Sequence, residues 1–435
     1  QAGQLNGIWH SSSYGQLFKI DGDMFEAYDL TDTICVQIDP AEISLTDYYA
    51  QYRINTQNTE VLFSDIEEPY TYKFKRLNAL PKQCVTTTAD TPEGNFETFT
   101  SYFGAHYAFF ELYNINWHDR VNEARRKISP EMTDAALYSL FQDMLTGLTD
   151  AHIEIIANLE GERDVFTANP GKTETALYER AISDGENPSH IKLDYRKKYW
   201  FDDIQTELLG GQGHMAGDTA IQYGLVSEDI GFIALMWMGG YVESDDETEL
   251  SVLSAAMEDA MQRFKASNVK AVIIDLSINY GGYDYLAREV AGRFTESAQP
   301  SYSKVSANDP KAKPHTYTIQ PSSGTRYTGP VYILTSDVTV SAAEILTIAL
   351  RSMPNVTHAG EPTRGAFSDV LSRTLPNGWE ISLSTEIYKD HQGVSWEKHG
   401  IEPELAVPVF NQANPLEGHL DAVHKVIAVI DGKYK

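Results

Sequence analysis

The stretch VYILTSDVTVSAAEILTIALRSMPNVTHAGEPTRG, residues 331–365, decides the fold of the second half of the chain. It opens with the apolar run VYIL, which is typical of a strand buried in a parallel sheet. A polar corner follows, and after Ser341 the apolar residues recur at the spacing of an amphipathic helix that packs on a sheet. Ser341 is therefore predicted at a strand-to-helix turn, beside the free N–H groups of a helix N-terminus.

Ser341 can be interpreted in two ways. In the first, its side chain caps the helix, and Glu344, three residues on, completes a capping box. In the second, its hydroxyl is a nucleophile, and the helix N-terminus faces the oxyanion that develops when it attacks a carbonyl. Taken alone, the preference of helix N-termini for serine favours the cap.

The composition is that of a globular protein with a strongly acidic surface. The 435 residues include 34 Lys and Arg against 62 Asp and Glu, which gives a net charge of −28. Such a surface repels nucleic acid and anionic lipid, so we expect neither as a partner. We expect no membrane span, because no run of about eighteen apolar residues occurs. We also expect no metal or other cofactor, because no metal-ligand pattern such as HExxH is present.

The chain has two cysteines, Cys35 and Cys84. Two thiols are too few for a common structural zinc site. A disulfide between them would suit an exported protein, but two buried free thiols suit the sequence equally well. The sequence begins at Gln1, as a mature or trimmed product would, and it contains no signal peptide. The cysteine pair hints at an oxidising compartment, and we therefore expect a periplasmic or secreted location.

The hydrophobic periodicity divides the chain into four segments. Residues 1–88 alternate apolar and polar residues around a turn at Asp21-Gly22-Asp23, which predicts a small antiparallel β domain with an accessory role. Residues 89–160 have helical spacing and form a predicted helical domain. Residues 161–225 are polar and rich in turns, as is typical of a connector. Residues 226–435 alternate strands and helices, which predicts an α/β core with a mainly parallel sheet and a C-terminal helix.

Three loops of this α/β core follow buried strands: residues 279–282, the Ser341 turn and residues 360–365. In open α/β sheets, functional groups gather in such loops. The N–H of Ala342 and that of Gly281 or Gly282 could together form an oxyanion hole, because a glycine pair lets the backbone approach a substrate carbonyl closely.

A serine nucleophile also needs a general base. Histidines of the helical segment and of the α/β core are candidates, and composition does not choose among them: His106, His118, His152, His315, His358, His391 and His399.

Five short motifs carry a family resemblance in their order along the chain: Gly231-Phe232-Ile233, Asp275-Leu276-x-x-Asn279-x-Gly281-Gly282, Ser341-Ala342-Ala343-Glu344-Ile345, Gly360-Glu361-x-Thr363-x-Gly365 and Gly400-Ile401-x-Pro403. Together they resemble the C-terminal processing (tail-specific) serine peptidases, over roughly residues 230–408. The segment that ends at His152 resembles the helical part that precedes this core in the same superfamily. The resemblance implies an α/β core of the crotonase/ClpP-like type and hydrolysis of peptide bonds in peptide or protein substrates.

The superfamily has two catalytic styles. In the serine–lysine branch, a lysine follows the last glycine of the Gly-x-x-Thr-x-Gly motif, but Ala366 stands there in this chain. The branch similar to the tricorn core instead uses a histidine at the end of the helical part and a glutamate before the Gly-x-x-Pro motif. The corresponding residues here are His152 and Glu397. The resemblance therefore implies Ser341 as nucleophile, His152 as general base and Glu397 as the group that orients the histidine.

Two residues depart from the family pattern. The serine that precedes the catalytic histidine in tricorn is Ala151 here, so Glu397 must reach the imidazole directly or through water, or Asp150 must replace it. The arginine of the Asp-x-Arg motif is Ser277.

A second hypothesis is a catalytically silent protein on the same fold that binds a hydrophobic ligand, as the interphotoreceptor retinoid-binding modules do. The aromatic N-terminal segment and the Met236-Trp237-Met238 stretch would then line the ligand site. The joint presence of Ser341, His152 and Glu397 favours the peptidase, because a binding protein does not need all three.

Overall fold

The computed structural model describes residues 4–22, 24–38, 45–65, 68, 70–85, 88–244 and 246–433, so Asp23 of the predicted turn lies outside the described residues. The chain forms two compact units. Unit 1 comprises Gln1–Asn169, Lys304–His315 and Ser368–Ile387, and unit 2 comprises Pro170–Ser303, Thr316–Phe367 and Tyr388–Lys435.

Unit 1 begins with a seven-stranded sheet. Its strands are β1 (Gly7–Ser11), β2 (Gln16–Asp21), β3 (Met24–Leu30), β4 (Cys35–Gln37), β5 (Gln51–Ile54), β6 (Glu60–Ser64) and β7 (Tyr72–Leu77), with the short helix α1 (Leu45–Tyr48) before β5 and a 3₁₀-helix (Lys82–Val85) after β7. The strand order is β4-β3-β2-β1-β7-β6-β5, and every neighbouring pair runs antiparallel, as we predict.

The aromatic residues of this first sheet fill its own core. Trp9, Phe18 and Phe74 are almost fully buried, and the rings of Phe18 and Phe74 stack with centroids 4.9 Å apart. Cys35 and Cys84 are joined by a disulfide, which decides between the two alternatives that the sequence leaves open. The bond connects the 3₁₀-helix to the edge strand β4.

The rest of unit 1 is three helices and a four-stranded sheet. The helices are α2 (Pro92–His106), α3 (Trp117–Arg125) and α4 (Asp134–Leu145), and the strands are β8 (Glu154–Leu159), β9 (Glu162–Thr167), β18 (Val370–Thr374) and β19 (Glu380–Ser384). Each helix begins at a polar cap, Thr91, Asn116 or Thr133, whose side chain accepts a backbone N–H of the first turn. The sheet has the order β18-β19-β8-β9 and is antiparallel throughout.

Unit 2 is built on a second seven-stranded sheet. Its strands are β10 (His214–Ala216), β11 (Ile221–Ser227), β12 (Ile230–Leu235), β13 (Ala271–Asp275), β16 (Val331–Thr335), β17 (Val356–Gly360) and β21 (Leu405–Ala406). The order is β10-β11-β12-β13-β16-β17-β21, and the five strands from β12 onward are parallel. Four helices belong to this α/β alternation: α7 (Glu249–Ala266), α8 (Tyr285–Gly292), α9 (Ala342–Arg351) and α10 (His419–Ile430). A separate three-stranded sheet has the order β15-β14-β20, with β14 (Gln299–Ser306), β15 (His315–Ile319) and β20 (Glu386–Asp390).

The segment predicted as a polar connector contains regular structure. It forms α5 (Lys172–Asp184), α6 (Pro188–Lys197) and a π-helix (Lys198–Leu208) before β10 and β11. Tyr195, Tyr199 and Trp200 are fully buried there, in a core shared with Phe410 and Val423. Because many polar residues surround these aromatic residues in the sequence, the composition of the segment does not reveal its buried apolar face. Among the helices of the described part of the chain, none is both long and apolar enough to cross a membrane.

His106 is buried at the end of α2, and neither of its ring nitrogens has a hydrogen-bond partner among the described residues. Burial lowers its pKa from 6.5 to about 3, with Arg373 and His10 acting in the same direction. Between these values the unfolded chain binds more protons than the folded one, so the free energy of unfolding falls as the pH drops below 6.5.

We predict that His106→Leu will weaken this loss of stability in acid, by up to ~1.4 kcal/mol per pH unit. Urea unfolding at pH 7 and pH 4.5 measures the difference between the two conditions. His118 gives the matched control, because His118→Leu removes an imidazole from an exposed position. An unchanged pH dependence in His106→Leu would show that this histidine is not a source of acid sensitivity.

Candidate active site

Ser341 lies at the strand-to-helix turn that the sequence predicts. Strand β16 ends at Thr335, helix α9 begins at Ala342, and Ser341 is the half-buried residue before the helix. Its backbone has φ 61° and ψ −125°, a conformation that costs a residue with a Cβ roughly 1–3 kcal/mol. Strained turns of this kind present a nucleophilic serine in α/β hydrolases, because the turn pushes the hydroxyl out of the backbone.

Two acceptors hold the backbone of this turn. The Ser341 N–H lies 3.1 Å from the Ala366 carbonyl and 3.1 Å from Glu344 Oε2. The Glu344 carboxyl is fully buried and also accepts the N–H groups of Gly365, at 2.7 Å, and Ala366, at 2.9 Å. Burial raises the pKa of Glu344 to about 7, although these hydrogen bonds oppose the shift. Glu344 therefore supplies the capping contact to Ser341 and also binds the loop after β17.

The glycine pair lies against the serine. A Cβ added to Gly281 would come within 2.6 Å of Ser341 Cβ, so only glycine fits there. The Gly281 N–H donates to Asn279 Oδ1 at 2.9 Å and is therefore engaged. Within the described part of the chain, no hydrogen bond uses the N–H of Gly282 or that of Ala342.

Three hydrogen bonds join the glycine loop, residues 276–282, to the turn before Ser341, residues 336–340. Thr339 Oγ1 donates to the Leu276 carbonyl at 2.7 Å, Ser336 Oγ donates to the Ser277 carbonyl at 2.5 Å, and the Val340 N–H donates to the Asn279 carbonyl at 3.2 Å. All six residues lie in unit 2, so the two loops that would contact a substrate carbonyl are positioned within one body.

The base of the glycine loop is held by a buried contact between a histidine and a carboxylate. His419, the first residue of α10, is 2.7 Å through Nε2 from Asp275 Oδ2. The other oxygen of Asp275 accepts both the N–H and the hydroxyl of Ser277. Burial acts to raise the pKa of Asp275, but the contacts with His419 and Ser277 outweigh it and lower this pKa. Ser277 stands where the family pattern has an arginine, and both its N–H and its hydroxyl stabilise this turn by donating to Asp275.

Glu397 is also buried in unit 2. Its Oε2 accepts the Phe367 N–H at 3.0 Å. Phe367 directly follows Ala366, whose carbonyl accepts the Ser341 N–H. The loop of residues 365–367 therefore binds both Ser341 and Glu397.

His152 belongs to unit 1, where it is buried just before β8. Its N–H donates to Asp150 Oδ1 at 2.9 Å, and the Tyr107 hydroxyl donates to Asp150 Oδ2 at 3.1 Å. Each carboxylate oxygen of Asp150 thus accepts one of these hydrogen bonds. The ring nitrogen Nδ1 lies 3.5 Å from Ser384 Oγ.

Unit 2 brings together four of the predicted residues, Ser341, Ala342, Gly281 and Gly282, and connects Glu397 to them through residues 365–367. Sequence reasoning missed Ser384 as a neighbour of His152, because no local pattern signals a contact between residues 232 positions apart. It also missed that Asn279 engages Gly281, although the Asn-x-Gly spacing is typical of such a turn. Within the described ranges, no group of three or more His, Cys, Asp or Glu side chains is arranged to hold a metal.

A strained serine between a strand and a helix of a mainly parallel sheet defines the class of α/β proteins with a nucleophile turn. Residues 229–407 of the chain match the model of peptidase family S41. Over this segment, less than half of its length, the chain is similar to peptidase family S41.

Curated relatives match the same part of the chain. The carboxy-terminal processing protease CtpB of Bacillus subtilis (strain 168) is 25% identical over 160 residues, which cover 36% of this chain and 32% of that protein. The protease CtpA of the same organism is 26% identical over 149 residues, or 34% and 31% of the two chains. The chain thus spans about a third of the length of these relatives.

Solved structures resemble a larger part of the chain. A candidate peptidase from Parabacteroides merdae ATCC 43184 has a TM-score of 0.60 at 22% identity, over 79% of this chain and 97% of that one. Mature CPAF in complex with lactacystin has a TM-score of 0.54 at 13% identity, over 79% of this chain and 99% of that one. The mixed α/β fold is therefore shared with these proteins.

We predict that Glu344→Gln will destabilise unit 2 by ~1–3 kcal/mol. The amide must turn its NH₂ group toward at least one of the three backbone N–H donors, which leaves a buried donor unsatisfied. Urea unfolding at pH 7 measures the effect. The exposed Glu402 provides the control, since Glu402→Gln removes a carboxylate from the same unit without touching these donors. Equal stability of the two variants would contradict the structural role of Glu344.

Proposed function

We propose that the protein is a serine peptidase that hydrolyses peptide bonds through an acyl-enzyme on Ser341, as an endopeptidase or a processing peptidase. The observation that carries the proposal is the strained Ser341 turn, which lies against Gly281. The N–H groups of Ala342 and Gly282 make no hydrogen bond among the described residues. The match of residues 229–407 to the model of peptidase family S41 also supports the proposal.

The proposed mechanism begins when His152 takes the proton of the Ser341 hydroxyl as the oxygen attacks the peptide carbonyl. The tetrahedral oxyanion accepts hydrogen bonds from the N–H groups of Ala342 and Gly282, and the engaged N–H of Gly281 is left out of this hole. His152 then protonates the leaving amine, and a water molecule, deprotonated by His152, hydrolyses the ester. Glu397 orients the imidazole and stabilises its charged form. Since Ala366 stands in the place of the lysine, we assign the chain to the branch similar to the tricorn core.

The proposal also includes the type of core, the domain layout, the location of the protein and its substrates. We regard the core as crotonase/ClpP-like and retain the four-part layout, with divisions near residues 88, 160 and 225. A periplasmic or secreted location is supported by the disulfide between Cys35 and Cys84, since such bonds persist in oxidising compartments. The substrates are peptides or proteins, and the charge of −28 argues against nucleic acid as a partner.

The competing hypothesis of a hydrophobic-ligand binder receives less support. The aromatic residues of the first sheet are used in its own core. Met238 is fully buried, and Trp237 stacks on Tyr280 with ring centroids 4.8 Å apart. The residues expected to line a ligand site therefore have packing partners within the protein.

We predict that a fluorophosphonate probe will label wild-type protein at Ser341, and that Ser341→Ala and His152→Ala will abolish the labelling. A serine hydroxyl without its base is a poor nucleophile, so each variant should lose at least ~10³-fold in rate. Peptide mass mapping locates the adduct.

Ser352→Ala is the matched control for this experiment, because Ser352 lies at the far end of α9, where its hydroxyl donates to the Ala349 carbonyl. It should keep its labelling at Ser341. A folded wild-type protein that is not labelled would contradict the peptidase and favour the binder, and labelling that survives in His152→Ala would assign the base to another residue.

We predict a smaller effect for Glu397→Gln, with labelling slowed by roughly 10-fold to 10³-fold. The amide oxygen can still accept the Phe367 N–H, so the loop remains in place, but the negative charge that stabilises the imidazolium is lost. Labelling kinetics and thermal melting of the same sample separate the two effects. A rate equal to that of the wild type would remove Glu397 from the mechanism.

A further inference from the structure

The imidazole of His152 has a buried hydroxyl beside it in unit 1. Ser384 ends β19, which pairs with β8, and both Ser384 and His152 are buried. The distance from Ser384 Oγ to His152 Nδ1 is 3.5 Å, which is longer than a usual hydrogen bond. Catalytic hydrogen bonds are often long without substrate and shorten when the complex forms.

The other polar groups around His152 have different partners. Asp150 binds the His152 backbone N–H and the Tyr107 hydroxyl. Ser382, two residues before Ser384 on the same face of β19, donates to the His152 carbonyl at 2.8 Å. Along this strand, one serine thus contacts the backbone of His152 and the next contacts its ring.

We propose that Ser384 is a positioning residue for His152, whose hydroxyl accepts the Nδ1 proton and so keeps the Nε2 lone pair available to the nucleophile. The proposal rests on the function proposed above, in which His152 is the base. A histidine that must accept a proton through one ring nitrogen needs a defined hydrogen bond at the other, because that bond sets the tautomer and the ring orientation. Ser384 thereby provides a hydroxyl that Ala151 cannot provide.

The position of Ser384 is fixed from both sides. Its carbonyl accepts the Ala108 N–H at 3.0 Å, from the residue that lies two positions beyond the end of α2. On its C-terminal side, the N–H groups of Thr385 and Glu386 both donate to Ser368 Oγ at 2.9 Å. The backbone that carries the hydroxyl is therefore held in place before any substrate binds, which reduces the reorganisation that the proton transfer requires.

The test is the rate of inactivation by an alkyl fluorophosphonate, resolved into the limiting rate constant kinact and the half-saturation constant KI. For Ser384→Ala we expect kinact to fall by about 3- to 10-fold, the effect of one neutral hydrogen bond, with KI unchanged. Ser382→Ala is the matched control, because it removes a hydroxyl from the same strand that contacts only the His152 backbone. It should leave kinact within about twofold of the wild-type value.

Nitrogen-15 NMR of the labelled histidine rings tests the contact without any activity, with the His152 signals assigned by their loss in His152→Gln. In the wild type we expect a single tautomer protonated at Nδ1, and in Ser384→Ala a shift of the His152 nitrogens toward the mixed tautomers of a free imidazole. Unchanged ring signals in Ser384→Ala would overturn the proposal. A wild type that is never labelled would instead overturn the peptidase, while the NMR comparison would still decide the role of Ser384.

Discussion

The buried carboxyl group of Glu344 is the contact on which the rest of the site depends. It accepts three backbone N–H groups, from Ser341, Gly365 and Ala366, at a position that solvent does not reach. A buried carboxyl without donors is costly, and buried backbone N–H groups at irregular turns are equally costly without an acceptor. The carboxyl and the three N–H groups satisfy each other's hydrogen bonds. This contact therefore holds the Ser341 backbone in a conformation that is unfavourable for a residue with a side chain. The Phe367 N–H of the same loop donates to Glu397, so the Glu344 carboxyl supports both the Ser341 backbone and the loop that contacts Glu397.

The strands and helices can be predicted from the sequence because an element with one buried face has apolar residues at regular intervals. The run at Val331–Thr335 forms a parallel strand and the spacing after Ser341 forms α9, as we predict. The same reasoning finds the antiparallel first sheet, where apolar residues alternate. It fails between α5 and the π-helix, because Tyr195, Tyr199 and Trp200 form a narrow buried face among many polar residues.

The residues of the candidate site can be predicted from the sequence only where they lie close together along the chain. The glycine pair and Ala342 follow from motif spacing, but which of the two glycines offers a free N–H depends on the Asn279 side chain, and composition does not show its orientation. The disulfide depends on whether Cys35 and Cys84 meet in space, where their Cα atoms are 4.9 Å apart. Ser384 approaches His152 only because β19 pairs with β8. Contacts across sheets carry no local signature, and therefore the residues that support a catalytic group are harder to find than the group itself.

The role of the N-terminal sheet follows from the charges that it buries within unit 1. Arg373 of β18 lies 3.2 Å from Asp29 of β3, and its guanidinium also donates to the Tyr14 carbonyl. The Tyr14 hydroxyl in turn donates to the fully buried Glu386, two residues beyond Ser384. Moving the sheet away from β18 would separate these groups, and leaving one partner of a buried ion pair uncompensated costs ~3–5 kcal/mol. This cost favours the packed arrangement, in which the sheet supports β18 and β19. The accessory role that the sequence predicts for this segment is then structural, because the strand that it supports carries Ser384, the residue proposed to position His152.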